Sequence, residues 1–255
     1  MSPPSNDAAP LLRAGDPLPW ASWRSEGSSP ALLVCDHASA QIPGALRQLG
    51  LTPAALARHI AWDIGAAALT RSLANRLDAP AVLAGYSRLV IDCNRHPDDA
   101  SSILAVSDGE RVPGNEGLNA DARTARRVSC FEPYHAALAA ALRSLATREP
   151  SPVLIAVHSF TPALGGSNRP WHVGVLWDRD DRVAAPLLEW LRSRRTSWSV
   201  TTSRTQGATR PTIPSTATPH PPGSGTSASR CVRTSSRQRL ELTAWPGCSR
   251  SRSGP

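Results

Sequence analysis

Lysine is absent from this chain: all 28 of its basic residues are arginine, set against 20 acidic ones. Phenylalanine and tyrosine are scarce, with 2 of each beside 8 tryptophans, while proline (24) and glycine (17) are plentiful. With abundant alanine and arginine, this is the amino-acid usage of GC-rich codons. No apolar stretch approaches the ~20 residues of a membrane-spanning helix, and no charged leader with an apolar core opens the sequence, so a soluble cytoplasmic protein is expected. The 5 cysteines lack CxxC spacing, which argues against a zinc knuckle or a disulfide frame. Cys35, Cys93 and Cys130 read as reduced thiols of a core, and Cys231 and Cys248 lie near the end. There is no internal repeat and no Gly-X-Ser-X-Gly nucleophile elbow.

Acidic residues almost vanish from the last quarter. Residues 1–193 carry 18 arginines against 19 acids, a balance of −1, whereas residues 194–255 carry 10 arginines against one acid, Glu241, a balance of +9. The formal +8 of the chain therefore belongs to its tail. There, 12 Ser, 11 Thr, 10 Arg and 7 Pro make 40 of 62 residues, and no hydrophobic run is long enough for a buried strand or an amphipathic helix. One reading is a disordered basic arm that grips nucleic acid or anionic lipid through phosphate neutralisation. Against it, only Trp198 and Trp245 could stack on bases, and the arginines follow neither RGG nor helical spacing. The other reading is out-of-frame translation. Codons that can encode Trp198 to Gly207, regrouped one base earlier, give Val-Gly-Asp-Asn-Glu-Pro-Tyr-X-Gly. Residues 225–235 treated likewise permit an alternating segment containing Ile-Glu-Val-Arg-Gln-Asp-Leu.

The preceding residues divide into an extended N-terminal segment, 1–29, and one domain, 30–193, long enough for its own core. Ala31-Leu32-Leu33-Val34-Cys35 reads as a buried strand. Thr52-Pro53 starts a helix that continues to Trp62, and a second helix begins at Asp63 and runs through Leu77. Ala81-Val82-Leu83 and Arg88-Leu89-Val90-Ile91 read as strands, residues 97–125 as a long loop and 131–145 as an amphipathic helix. Strands over 152–157 and 171–177 and a helix over 183–191 follow. The alternation predicts an α/β fold with a mostly parallel or mixed central sheet and helices on both faces.

Chemistry-bearing residues gather where the apolar runs end: Asp36-His37, Asp92-Cys93-Asn94-Arg95 and His158-Ser159. Ligands of open α/β sheets bind beyond the carboxyl ends of the strands. Two histidines with a carboxylate suit a catalytic zinc, which keeps one position open for water. His37 and His158 are the candidate ligands, with Asp63 the first choice of carboxylate and Asp36 the second. Each histidine could instead be a hydrogen-bonded loop residue, Asp63 could cap the helix it begins, and Arg88 and Arg95 could be ion-pair partners of Asp92, Asp98 or Asp99. The adjacent amide and guanidinium of Asn94 and Arg95 suit a carboxylate ligand. His59, His96, His135 and His172 are assigned structural roles.

Four blocks in register, Leu33-Val34-Cys35-Asp36-His37-Ala38-Ser39 with Ile42-Pro43, His59-Ile60-Ala61-Trp62-Asp63-Ile64-Gly65, Tyr86-Ser87-Arg88-Leu89-Val90-Ile91-Asp92-Cys93-Asn94-Arg95 and Val157-His158-Ser159-Phe160, resemble the N-formylglutamate amidohydrolase family. The resemblance covers about residues 15–193. It implies a zinc carboxypeptidase-like α/β fold and hydrolysis of N-formyl-L-glutamate to formate and glutamate in histidine breakdown. It also implies one zinc ion on His37, Asp63 and His158, and a substrate carboxylate held by Asn94 and Arg95 with help from Arg88 and Ser159. A related N-acyl amino acid would satisfy the same clamp, and a non-enzymatic protein with a nucleic-acid-binding tail is the other alternative.

The family's last third supplies a Gly-Asp-Asn-Glu-Pro-Tyr-Ser-Gly loop and an Ile-Glu-Val-Arg-Gln-Asp-Leu strand, whose glutamate is taken as the general base. Neither stands in the chain as written, yet both emerge from the regrouped codons. The expectation is therefore an impaired enzyme with an unpaired sheet edge and uncovered apolar surface.

Overall fold

The computed structural model describes residues 11–164, 166–169, 172–177, 180–193, 200–204 and 239–246. Its strands are β1 (Trp20–Trp23), β2 (Ala31–Cys35), β3 (Ala81–Ala84), the hairpin β4 (Val106–Ser107) and β5 (Glu110–Arg111), β6 (Val153–Phe160), the hairpin β7 (Ala163–Leu164) and β8 (Ser167–Asn168), β9 (Val173–Trp177), β10 (Val200–Arg204) and β11 (Arg239–Pro246). Seven of these form one sheet in the order β1-β3-β2-β6-β11-β9-β10. β3, β2 and β6 are mutually parallel, as are β11, β9 and β10, while β1 joins β3 and β11 joins β6 in antiparallel fashion. The mixed α/β sheet is the architecture expected from the alternating elements.

Successive residues of a strand face opposite ways, and β2 shows the consequence. Leu32 and Val34 enter one core with Phe131, Tyr134, Leu138 and Leu145, the last three from the helix α4 (Glu132–Arg148). Leu33 and Cys35 enter a second core with Ala66, Ala67 and Ala74 of the helix α2 (Ala66–Leu77). Being covered on both faces is why β2 reads as an unbroken apolar run rather than an alternating one. A third cluster packs Val173 and Val175 of β9 under Ala184 and Leu188 of α5 (Ala184–Ser193). Cys35, Cys93 and Cys130 are free and buried, as expected, and no described helix is long and apolar enough to cross a membrane.

Several local expectations are corrected. Thr52 does cap α1, accepting from the Ala55 N–H at 3.2 Å, but α1 spans only Pro53–Leu56 and does not continue to Trp62. α2 begins at Ala66 behind Gly65 at φ 85°, so Asp63 is not its cap. The segment from Arg88 to Ile91 is a buried turn, not a strand. It needs no sheet partner because side chains satisfy its backbone: Asn115 Nδ2 donates to Leu89 O at 2.9 Å and Arg126 Nη1 to Val90 O at 3.2 Å. The stretch 97–125 is mostly irregular but holds the β4–β5 hairpin and most of α3 (Ala120–Arg126).

Arg126 clamps that stretch. It is 2% exposed and also donates to Asn115 Oδ1 at 2.5 Å and to Gly114 O at 2.7 Å. Burial pulls its pKa down to about 10. Nearby, Arg47, Gln48 and Leu49 all have left-handed φ, and the missing Cβ of Gly114 lets Leu49 Cα approach, since a Cβ there would lie 2.8 Å from it. Arg126→Ala strips the donor from two buried acceptors and one part-buried one, so we expect a loss of about 3 kcal/mol, read as a lower urea midpoint at unchanged slope. A midpoint within error of the parent would show that water replaces the guanidinium without loss.

Two stretches of the tail, β10 and β11, belong to the sheet, which composition alone does not anticipate. β11 runs the length of β6, so β6 is paired on both sides, by β2 and β11. Its sequence, Leu240-Glu241-Leu242-Thr243-Ala244-Trp245, has the two-residue alternation of a strand, a short signal lost in the bulk composition around it. Residues 205–238 and 247–255, with Cys231 and Cys248, lie outside the described residues, as does Trp198.

Candidate metal centre

β2 and β6 are adjacent and parallel, so their carboxyl ends meet at one end of the sheet. β2 runs out into Asp36 and His37, while His158 and Ser159 sit inside β6, two residues before its end, rather than beyond it. The Asp63 N–H donates to His37 O at 3.0 Å, which ties the segment before α2 to the same place. His37, Asp63 and His158 are each about 5% exposed or less. Each offers one ligand atom within 4.8 Å of the others'.

The hydrogen bonds divide the four ring nitrogens into two kinds. The outer pair is held by separate carboxylates: His37 Nε2 lies 2.7 Å from Asp92 Oδ1, and His158 Nε2 lies 3.2 Å from Asp36 Oδ2. The inner pair converges on Asp63 Oδ2, with His158 Nδ1 at 2.9 Å and His37 Nδ1 at 3.3 Å. His37 Nδ1 lies at that distance without hydrogen-bond geometry and is left as a buried nitrogen with no partner. A carboxylate behind each ligating histidine is the usual outer support of a metal site, because it fixes the ring and its tautomer. The donor set thus fits a divalent ion on His37 Nδ1, His158 Nδ1 and Asp63.

Charge balance points the same way. Asp36, Asp63 and Asp92 are buried and Arg88 sits among them, so with neutral imidazoles the group carries −2, which a divalent cation would cancel. Without an ion, protons take its place. Burial disfavours the charged form of His158, yet its hydrogen bonds to Asp36 and Asp63 raise its pKa well above the ordinary value. Burial and Arg88 oppose charging of His37, but the charges of Asp92 and Asp63 prevail and raise it. Burial likewise opposes ionisation of Asp63 and Asp92, and the nearby cationic groups hold both carboxyls well below the usual range.

The other expected site residues distribute unevenly. Arg88 reaches Asp92 Oδ2 at 2.7 Å and Asp63 Oδ1 at 3.7 Å, which is the ion-pair reading of this residue, at the edge of the histidine cluster. Asn94 is half-buried, and its backbone N–H donates to Asp92 Oδ1 at 2.8 Å, while Arg95 is exposed on the same turn. Ser159 contributes its backbone N–H, which donates to Asp63 Oδ2 at 3.1 Å. His135 is buried against Cys93 O, and His59 and His96 pair with Asp108 and Asp98 away from the cluster. Asp36 stands behind His158 instead of joining the inner donors. Tyr134 is the member that sequence reasoning missed, while Asp92, read as an ion-pair partner of Arg88 or Arg95, also stands behind His37. Tyr134 donates to Asp36 Oδ1 at 2.7 Å across 98 residues, a separation that leaves no local pattern to find.

Comparison with known proteins places this geometry. Among curated proteins none matches the chain. The crystal structure of a gene product from Agrobacterium tumefaciens is similar over 75% of each chain, at 33% sequence identity and a TM-score of 0.71. The family model for N-formylglutamate amidohydrolase matches residues 29–209, which include every residue of the candidate metal centre and extend into the tail through β10. On that match over more than two thirds of its length, the chain belongs to the N-formylglutamate amidohydrolase family.

Proposed function

We propose that this chain descends from a zinc-dependent enzyme that hydrolyses the formyl amide of N-formyl-L-glutamate to formate and L-glutamate in histidine breakdown, and that its own turnover is impaired. The observation that carries the metal reading is the orphaned His37 Nδ1 facing His158 Nδ1 and Asp63 in a buried group two charges short of neutral. A divalent ion bound there supplies Lewis-acid polarisation of the formyl oxygen and a water whose pKa is lowered toward ~7. His37 and His158 present Nδ1 atoms whose orientation is set by Asp92 and Asp36, and Arg88, after His37, helps keep Asp92 ionised. Asn94 and Arg95, on the turn after Asp92, are the residues for the substrate's carboxylate; the exposure of Arg95 leaves its guanidinium free to swing onto a bidentate anion.

Hydrolysis adds the water oxygen to the formyl carbon, breaks the C–N bond and delivers a proton to the leaving amine. That proton needs a carrier, and the family's glutamate strand is missing from the chain as written. We attribute its loss to a shift of reading frame near the start of the tail. Glu241, the tail's one acid, occupies the register position opposite His158 and is the single carboxylate that β11 offers.

The deciding assay is formate release by the purified chain supplied with zinc. The expected outcome is a rate at background, and turnover at ordinary hydrolase rates would overturn the impairment. A clamp that recognises only a carboxylate also admits other N-acyl amino acids, so acetyl and formyl substrates belong in one panel. A salt-dependent gel shift addresses the basic tail. We expect no retention of nucleic acid at physiological salt, and a tight, salt-sensitive shift would favour the binding-protein alternative.

A further inference from the structure

The two histidines of the centre are braced differently. Behind His37, Asp92 is itself held by Arg88 and by the Asn94 N–H. Behind His158, Asp36 has no cationic partner besides the histidines among the described residues; its other oxygen accepts from the fully buried Tyr134 hydroxyl at 2.7 Å. Arg88 neutralises the carboxylate it grips, whereas a phenol orients Asp36 and leaves its charge intact.

The backbone before Tyr134 is built for this contact. Residues Arg127–Phe131 form a π-helical turn directly ahead of α4, and such wide turns advance the helix phase relative to an uninterrupted α-helix. Beyond it, two consecutive residues both face the body of the protein: Tyr134 reaches Asp36 at the end of β2, and His135 Nε2 meets Cys93 O at 3.0 Å beside Asp92. The first turn of α4 thus touches both segments that carry the outer carboxylates, the end of β2 and the turn at Asp92.

We propose that Tyr134 is a positioning residue which, through Asp36, locks the His158 ring so that its Nδ1 faces the ion. The inference rests on the metal reading above. Tyr134 fixes the Asp36 carboxyl plane, the plane fixes the His158 Nε2–H, and the opposite nitrogen is thereby left as a donor with one orientation.

Zinc affinity, measured by competition with a chelator on the full chain, tests it. Tyr134→Phe should weaken zinc binding about 10-fold and Asp36→Asn up to about 100-fold, the range expected for outer supports of a metal ligand. Tyr86→Phe is the control, since Tyr86 is the other tyrosine, buried and bound to the Pro17 carbonyl; its removal should leave zinc affinity unchanged. Because Tyr134 acts through Asp36, the double variant should bind zinc no more weakly than Asp36→Asn alone. Metal-free melting points recorded in parallel should fall alike for both tyrosine variants, which separates a merely structural hydroxyl from a positioning one. Parental affinity in Tyr134→Phe, or a full additional loss in the double variant, would overturn the proposal. A parent chain that takes up no zinc sinks the metal reading, and this inference with it.

Discussion

Asp63→Asn should abolish the stabilisation of this chain by zinc. Asp63 Oδ2 is the point where His158 Nδ1, His37 Nδ1 and the Ser159 N–H converge, and asparagine keeps the shape while removing the charge. Zinc at about 1,000 times its dissociation constant should add about 4 kcal/mol to the parent fold, a rise of roughly 10 °C in melting temperature for a domain of this size. A chelator should reverse it. In the variant the buried group is left one charge poorer and short of an anionic ligand, so we expect binding to weaken at least about 1,000-fold, in line with a divalent ion's need for charged first contacts, and the melting temperature to stay put on adding zinc. A zinc shift that survives in the variant would remove Asp63 from the ligand set and pass its place to Asp36, the second choice of carboxylate in the sequence.

Much of this centre is legible in the chain, for a definite reason. Residues that end a buried strand are pinned by the sheet, so a polar pair after an apolar run, as in Cys35-Asp36-His37, announces its own placement. His158 is found the same way, as the first polar residue of the long apolar β6. What stays hidden is whatever packing decides. Val90 and Ile91 look like a strand because they are buried, yet their burial comes from a turn whose backbone is served by Asn115 and Arg126 from distant segments. Tyr134 looks like one more core residue on the apolar face of α4, and only the meeting of α4 with the end of β2 reveals Asp36 as its partner. Asp92 reads as the partner of Arg88 four residues earlier, which it is, and its bond to His37 across 55 residues has no counterpart in local spacing. The tail misleads in the opposite direction: a composition dominated by Ser, Thr, Arg and Pro masks two segments that pair in the sheet, one of them through an alternation of only a few residues.

Restoring the family frame in the tail should raise formate release by at least about 100-fold over the chain as written, the low end of what positioned acid–base groups contribute. In the chain as written, β10 and β11 already fill places beside β9 and β6, so the impairment we propose is assigned to the chemistry rather than to the pairing of β6. What the regrouped codons add is the Gly-Asp-Asn-Glu-Pro-Tyr loop and the Ile-Glu-Val-Arg-Gln-Asp-Leu strand, the latter carrying the carboxylate that takes the proton from water and hands it to the amine. Replacing that glutamate by glutamine in the repaired chain should return the rate to the level of the unrepaired one, while zinc affinity, which we assign to His37, Asp63 and His158, should stay the same. The unrepaired chain supplies the counter-test. Glu241→Gln should not change its residual rate, because we assign it no working base; a further drop would mean that Glu241, opposite His158, already serves, and the argument from a lost frame would fail. A repaired chain no faster than the original would sink it from the other side.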